Sequence, residues 1–357
     1  MFKLEPDFFG LDISDFSLKF AKLKKRKNSS ELVSYGEEKI PKGIIENGQV
    51  KDGDGLARLI NGGLEKSQGE KIKTNYVALS LPEERSFLDV IQIPLMEKEE
   101  IKTAVYHEIE NHIPLKLDKV NFDFQKIPPL SKNQNYQEIL MGAVPKAVVE
   151  TYLKALEKSK LKPVFLEVES LSIVRSLIKK TTFRGSLLII DFGGSRTSFI
   201  NYLGKSLRFT SSFPLSSSDL TDSLSNKFKI SFEDAEVLKI KEGLEGEREI
   251  KKVLVDALGG LVKQIKIHLN YYCSYERERQ TLGERIEPEK ILLCGNGANL
   301  KGLPGFLSSK LNIDVQIGDP LINILNKNSK SNLKMSSQKS LGYTTALGLA
   351  LKNIYDD

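Results

Sequence analysis

Two stretches of this chain, half its length apart, repeat one plan. The first, FFGLDISDFSLKFAKL (8–23), runs from apolar residues to Asp12, passes through Ser14, Asp15 and Ser17, and resumes at Lys19 with alternating apolar and polar residues. The second, LLIIDFGGSRTSFINYL (187–203), runs from an apolar stretch to Asp191, passes Gly193, Gly194, Ser195 and Thr197, and returns as a second apolar stretch. Each reads as a strand, a tight turn and a returning strand. The two acids stand 179 positions apart (191 − 12) in a chain of 357 residues. One hairpin design in each half predicts two related lobes that face each other.

The chemistry of such a turn suits phosphate. Glycine lets backbone N–H groups turn inward with no Cβ in the way, and successive amides make an anion-binding nest. The hydroxyls of Ser195 and Thr197 add donors. The acid at the strand end repels phosphate, but it holds a water or a magnesium ion that neutralises phosphate oxygens. A single strand ending in Asp-x-Gly-Gly is as readily a turn without function; the second copy favours the phosphate reading. Two further stretches fit beside it. ILLCGNGANLKGLPGFLSSKL (291–311) is an apolar strand, a turn and a helix with Leu303, Phe306, Leu307 and Leu311 on one face. Gly295, Gly297 and Ala298 leave that turn almost without side chains, which suits a flat base against the backbone and equally a close strand-to-helix crossing. SFEDAEVLKIKEGL (231–244) is a helix N-capped by Ser231, on which Glu236 and Lys239 share a face and reach one ligand together, or form an exposed ion pair.

Composition excludes several classes. A chain of this length is expected to form two domains, and 40% hydrophobic with 28% charged residues describes a globular protein. The formal charge of +6, from 53 basic and 47 acidic side chains, is too small to imply a nucleic-acid partner. KLKKRKNSSE (22–31) reads as a solvated hairpin turn, with contact to anionic lipid as the alternative. Cys273 and Cys294 form no disulfide framework or metal set. The start, MFKLEPDFFG, carries acids where a signal peptide needs an apolar core, and no apolar run approaches the ~20 residues of a membrane span. A cytosolic protein that reaches a membrane only through a partner is expected. HEIENH (107–112) fails as a zinc signature, because its histidines are five apart and diverge on a helix. LGKS (203–206) lacks the first glycine of a phosphate loop, and no G-x-S-x-G elbow occurs.

Taken in order, hairpin, second hairpin, AEVLK helix and GNGANLKGL turn resemble the nucleotide site of the actin-like ATPase superfamily. Within it the chain is most similar to the PilM proteins of type IV pilus assembly, relatives of the cell-division protein FtsA. The stretches that carry the resemblance are IPKGIIENGQVKD (40–52), IPLMEKEEIKTAVYHEIENHIPLKLDKVNFDFQ (93–125), MGAVPKAVVETYLKALEKSKLKP (141–163) and GYTTALGLALKN (342–353). The second and third resemble the small inserted subdomain of PilM and FtsA. From residues alone that region already reads strand, helix, strand, helix, with Ile101, Val105, Ile109 and Ile113 at helical spacing.

The resemblance implies an α/β, two-lobed actin-like ATPase fold, built of duplicated ribonuclease-H-like domains with a small inserted α+β subdomain. The expected first lobe comprises 1–83, 162–184 and 336–357, the insert 84–161, and the second lobe 185–335, with 220–285 as its helical subdomain. It also implies ATP or ADP with Mg2+ between the lobes. By motif position Asp12, Ser14, Asp15, Ser17 and Lys19 form the first phosphate loop, and Asp191, Gly193, Gly194, Ser195 and Thr197 the second. Asp12 and Asp191 hold the metal through water. Glu236 and Lys239 face ribose and base, Gly295, Asn296, Gly297 and Ala298 border the adenine, and Glu169 in LEVESLSIVRSL (166–177), a connecting helix, faces the cleft. The first loop departs from the Asp-Ile-Gly of relatives: Ser14 stands for the glycine and Asp15 adds a charge beside the phosphates. GNG likewise replaces three glycines. Nucleotide binding with weak or no hydrolysis is therefore expected, since no residue stands out as a general base. The implied role is a cytoplasmic scaffold at the inner membrane that binds the cytosolic N-terminal peptide of a PilN-type protein. An FtsA-like role is disfavoured by the ending LALKNIYDD, which lacks an amphipathic helix. A small-molecule kinase on the same fold would need a carboxylate base, for which Asp15 is the candidate.

Overall fold

The computed structural model describes residues 6–26, 29–130, 135–179, 185–278, 286–324, 333 and 335–355. The chain divides into two units, one comprising 1–129, 133–183 and 319–357, the other 130–132 and 184–318.

In the first unit the strands are β1 (Phe9–Ile13), β2 (Ser17–Arg26), β3 (Ser29–Lys39), the short pair β4 (Ile45–Glu46) and β5 (Gln49–Val50), β6 (Gln68–Gly69), β7 (Tyr76–Leu81), β8 (Phe87–Pro94), β9 (Val120–Lys126), β10 (Tyr136–Pro145) and β11 (Lys162–Val168). The helices are α1 (Gly53–Glu65), α2 (Lys98–His112), α3 (Lys146–Lys158) and α4 (Glu169–Leu177), followed late in the chain by Ser337–Leu341 and Thr344–Tyr355. The main sheet runs β11-β7-β1-β2-β3-β6, with β1 parallel to β7 and antiparallel to β2. Phe9, Leu11 and Ile13 are all buried, as are Val77 and Leu79 beside them, so the centre of this sheet is apolar. The basic stretch is the β2–β3 hairpin, with Lys24 opposite Glu31 and Arg26 opposite Ser29; residues 27–28 lie outside the described ones. Lys22 pairs with Asp7 and Lys24 with Glu70, so that stretch is partly neutralised from within the unit.

The insert has a core of its own. Strands β8, β10 and β9 form an antiparallel sheet in that spatial order. Ile101, Val105 and Ile109 of α2 and Ile113 at its C-cap pack onto Ile91, Ile93, Ile139 and Met141. Glu97 and Glu100 close a capping box at the start of α2.

The helix Thr344–Tyr355 lies close to both β1 and α4. A Cβ at Gly10 would overlap the carbonyl oxygen of Ala346, and one at Gly348 would overlap that of Ser172 in α4. The stretch 319–335, expected in the second lobe, begins in this unit: Leu321 and Ile324 are buried with Ala21, Leu23, Tyr35 and Tyr343. Of the polar loop 331–345, residues 331, 332 and 334 lie outside the described ones, and Ser336 N-caps the short helix that follows.

The second unit holds β12 (Ser186–Phe192), β13 (Thr197–Leu203), β14 (Ser206–Phe213), β15 (Lys290–Cys294) and β16 (Asp314–Ile317), with α5 (Ser217–Phe228), α6 (Phe232–Glu242), α7 (Arg248–Glu278) and α8 (Leu303–Leu311). Its strands run β16-β15-β12-β13-β14. This repeats β11-β7-β1-β2-β3: the acid-ended strand is central, its hairpin partner lies on one side, and two parallel strands lie on the other. LGKS is the tight β13–β14 turn, with Gly204 and Lys205 at positive φ.

One 31-residue helix, α7, runs straight through Gly259 and Gly260. Its buried Ile250, Leu254, Leu258, Leu261 and Ile265 keep one apolar stripe across the glycines, and that packing outweighs their poor helix propensity. A Cβ at Gly259 meets nothing within 4 Å. Gly259→Ala is expected to raise stability by about 1 kcal/mol, read as a higher urea midpoint at unchanged slope. Among the described residues no helix is long and apolar enough to cross a membrane.

Candidate functional site

The two turns repeat down to one hydrogen bond. In the first, the Ser14 N–H donates to the carbonyl of Ser17 at 2.9 Å; in the second, the Gly193 N–H donates to the carbonyl of Arg196, also at 2.9 Å. Donors and acceptors are offset by the same 179 positions as Asp12 and Asp191. A shared strand order fixes each acid at the same place, beside a parallel strand on one side and its hairpin partner on the other.

In the first unit Asp12 lies opposite Lys19, and Lys19 opposite Glu37, so acid, base and acid cross three strands in register. Lys19 is buried, its ammonium 3.4 Å from Glu37 and donating to Ser17 Oγ at 2.6 Å. Asp12 Oδ1 accepts from Ser80 Oγ of β7 at 2.9 Å. Burial holds the Asp12 carboxyl above the ordinary carboxylate range, while Lys19 and the Ser80 hydroxyl pull it back. A carboxylate so placed is stabilised by a cation.

Asp15 behaves differently from its expected role in the phosphate loop. Its two carboxylate oxygens accept from the backbone N–H groups of Asn47, at 3.0 Å, and Gly48, at 2.9 Å, which form the turn between β4 and β5. Its charge is thus met by two amides. Glu169 opens α4, with Ser170 N–H bonded to the buried Glu83 carboxylate at 3.2 Å. The connecting segment starts its helix there rather than at Leu166, because 166–168 pair with 79–81 of β7. Glu169, Glu84, Asp15 and Asp12 all act on the hydroxyl of Tyr152 in α3, where burial first and these acids second push the phenol well above its usual range.

In the second unit most of the remaining candidates come together. The Gly193 carbonyl accepts from Ser217 N–H at 2.9 Å, at the start of α5, which Ser216 caps with Asp219. Thr197 is buried and gives its hydroxyl to the carbonyl of Leu215, so it braces the turn. Gly194 is exposed and Ser195 partly so. Lys239 is spent inside: its ammonium meets Ser217 O and Oγ at 2.9 Å each, Thr221 Oγ1 at 2.7 Å and Glu236 Oε2 at 2.7 Å. Burial draws its pKa down, and Glu236 opposes that. Lys239 therefore locks α6 to α5 behind the turn.

Gly295 and Gly297 answer a packing demand. A Cβ on Gly295 would collide with Asp191 Oδ1 and lie 2.6 Å from the carbonyl oxygen of Phe192; one on Gly297 would meet the Phe192 ring. Gly295 also sits at φ 79°. The Asn296–Asn299 turn, which includes Ala298, is thereby held against the end of β12, next to Asp191. Cys294 Sγ lies 3.7 Å from Asp191 Oδ1. Ser80, Glu37, Ser217, Thr221 and Tyr152 complete these arrangements and were not foreseen; only the Asn-Gly pair of IIENGQV carried a signal, that of a tight hairpin.

The family model described as "Type IV pilus assembly protein PilM" matches residues 10–354. The chain belongs to the PilM family. Its fold is that of a solved structure described as a PilM-PilN type IV pilus biogenesis complex, at TM-score 0.80 and 24% identity, over 98% of this chain and 99% of that one. It is also similar to the ethanolamine utilization protein EutJ from Carboxydothermus hydrogenoformans, at TM-score 0.56 and 17% identity, over 96% and 88%. MreB 5 of Spiroplasma citri bound to AMPPNP gives TM-score 0.55 and 12% identity, over 98% and 95%. The PilM assignment and these neighbours agree with the actin-like two-lobed fold that the resemblance implies.

Proposed function

We propose that this PilM-family chain is a nucleotide-binding cytoplasmic scaffold of a type IV pilus or type II secretion-like machine. It holds the cytosolic N-terminal peptide of a PilN-type inner-membrane protein and sits at that membrane through this partner. The ligand of the turns is ATP or ADP with Mg2+. The observation that carries the reading is the repeat of one turn hydrogen bond at a constant offset, together with an acid at each strand end.

The residues fit such a ligand. Gly193 and Gly194 put no side chain between a phosphate and the turn amides, and Ser17 and Ser195 add hydroxyls, while the Ser14 hydroxyl donates within its turn to the Ser17 carbonyl at 3.0 Å. Asp12 and Asp191, each at the end of its own strand, are the carboxylates proposed for hydrated magnesium, which would supply charge neutralisation to phosphates. The engagement of Asp15 by two amides argues against its service as a kinase base, and weak or absent hydrolysis is part of the proposal. Nucleotide occupancy is proposed to set affinity for the PilN-type peptide.

Calorimetry tests both parts. Asp191→Ala is expected to weaken ATP binding about tenfold or more in Mg2+ and to leave binding in EDTA as in the parent chain. Equal loss in both buffers would refute the metal role, and absence of ATP binding to the parent chain would refute the ligand. Equal peptide affinity with and without ATP would refute the gating, because a ligand without differential affinity shifts nothing.

A further inference from the structure

The tip of the β4–β5 hairpin is committed on every side. Asn47 and Gly48 have φ of 49° and 69°, a left-handed pair that turns two successive N–H groups the same way and makes an anion nest. That nest is filled by the protein itself, through Asp15. The tip carbonyls are taken as well: Asn47 O accepts from Arg85 Nε at 2.7 Å, and Gly48 O from the hydroxyl of Tyr152 at 3.1 Å. There is no room to slide, since a Cβ on Gly48 would lie 2.7 Å from Pro82 Cβ and 2.8 Å from Glu84 Oε1. Tyr152 is 1% exposed and belongs to α3, whose Val148, Val149, Ala155 and Leu156 are buried beside it.

We propose that the Asn47–Gly48 turn is a strut through which helix α3 of the insert registers a phosphate at the first turn. The inference rests on the nucleotide reading above and names the positioning residues that would carry its effect. Asp15 lies inside the Ser14–Ser17 turn, so a phosphate arriving there repels its carboxylate. The nest is where that charge is best stabilised, and the repulsion drives Asp15 more firmly onto it. A firmly held tip keeps the Gly48 carbonyl on the Tyr152 hydroxyl, and α3 is steadied in turn. Asp15 is then a relay rather than a phosphate ligand.

Hydrogen exchange of the full chain, with and without ATP and Mg2+, tests this alongside calorimetry. In the parent chain ATP is expected to slow exchange about fivefold or more in peptides covering 45–50 and 146–158. Tyr152→Phe keeps the ring and removes the hydroxyl. It should abolish the slowing at 146–158, preserve it at 45–50 and leave ATP affinity unchanged. Asp15→Asn, which removes the charge, should abolish it in both. Slowing at 146–158 that survives Tyr152→Phe overturns the strut, as does ATP binding to the parent chain without any slowing there. Absence of ATP binding by calorimetry overturns the nucleotide reading and the strut together, so the two failures are distinguishable.

Discussion

Gly348→Ala is expected to cost the first unit about 3 kcal/mol or more. The added Cβ would overlap the Ser172 carbonyl oxygen, lie 2.5 Å from its carbon and 3.0 Å from its Cα. All three are backbone atoms of α4, so no flexible side chain can give way. Relief requires the helix Thr344–Tyr355 to lift, and Gly10 shows why it cannot: on its other side the same helix places Ala346 O and Leu349 Cβ where a Gly10 side chain would stand. Lifting it also exposes Leu347, Leu349 and Leu351, each fully buried. Urea unfolding of the variant reads the loss directly. A change within about 0.5 kcal/mol would show that α4 and this helix are not so closely apposed.

Acid should destabilise the second unit through His268. Its ring lies between Asn201 Nδ2, 2.6 Å from Nε2, and Ser211 Oγ, 2.7 Å from Nδ1, and is flanked by Phe199 and Phe209. Among the described residues no charged partner acts on it, and burial pushes its pKa from 6.5 to about 3. The unfolded chain therefore takes up a proton at its ordinary value and the folded chain only near 3. Stability from this group is complete above pH 6.5 and falls as pH drops toward 3, by up to about 1.4 kcal/mol per pH unit. His268→Gln keeps donor and acceptor without a titrating ring. The difference between parent and variant from pH 6.5 to 5 should approach about 2 kcal/mol, in a window where few carboxylates titrate. Parallel stability curves would refute the buried neutral histidine.

The hairpins and the insert were legible because burial imposes period on sequence. Alternation marks β2 and β8, Ile101, Val105 and Ile109 mark α2, and the duplicated acid-ended strands mark both centres. What stayed hidden depends on partners distant in sequence. Nothing in AEVLK says that Lys239 turns inward to Ser217 and Thr221 rather than outward to a ligand. Asp15 reads as a charge beside phosphate until the amides of Asn47 and Gly48 are in place, 32 and 33 residues on. In α7 the apolar stripe carries the helix through two adjacent glycines of poor helix propensity.

The glycine-mediated contact of Gly10 with Ala346 also orders events in time. The two residues are 336 positions apart (346 − 10), and the whole second unit is synthesised between them. Strand β1 leaves the ribosome with one face uncovered and stays so until residues 344–355 follow. The second unit, almost continuous from 184 to 318, has all its strands available earlier. On the growing chain it can therefore mature first, while the β1 sheet waits for a helix not yet translated.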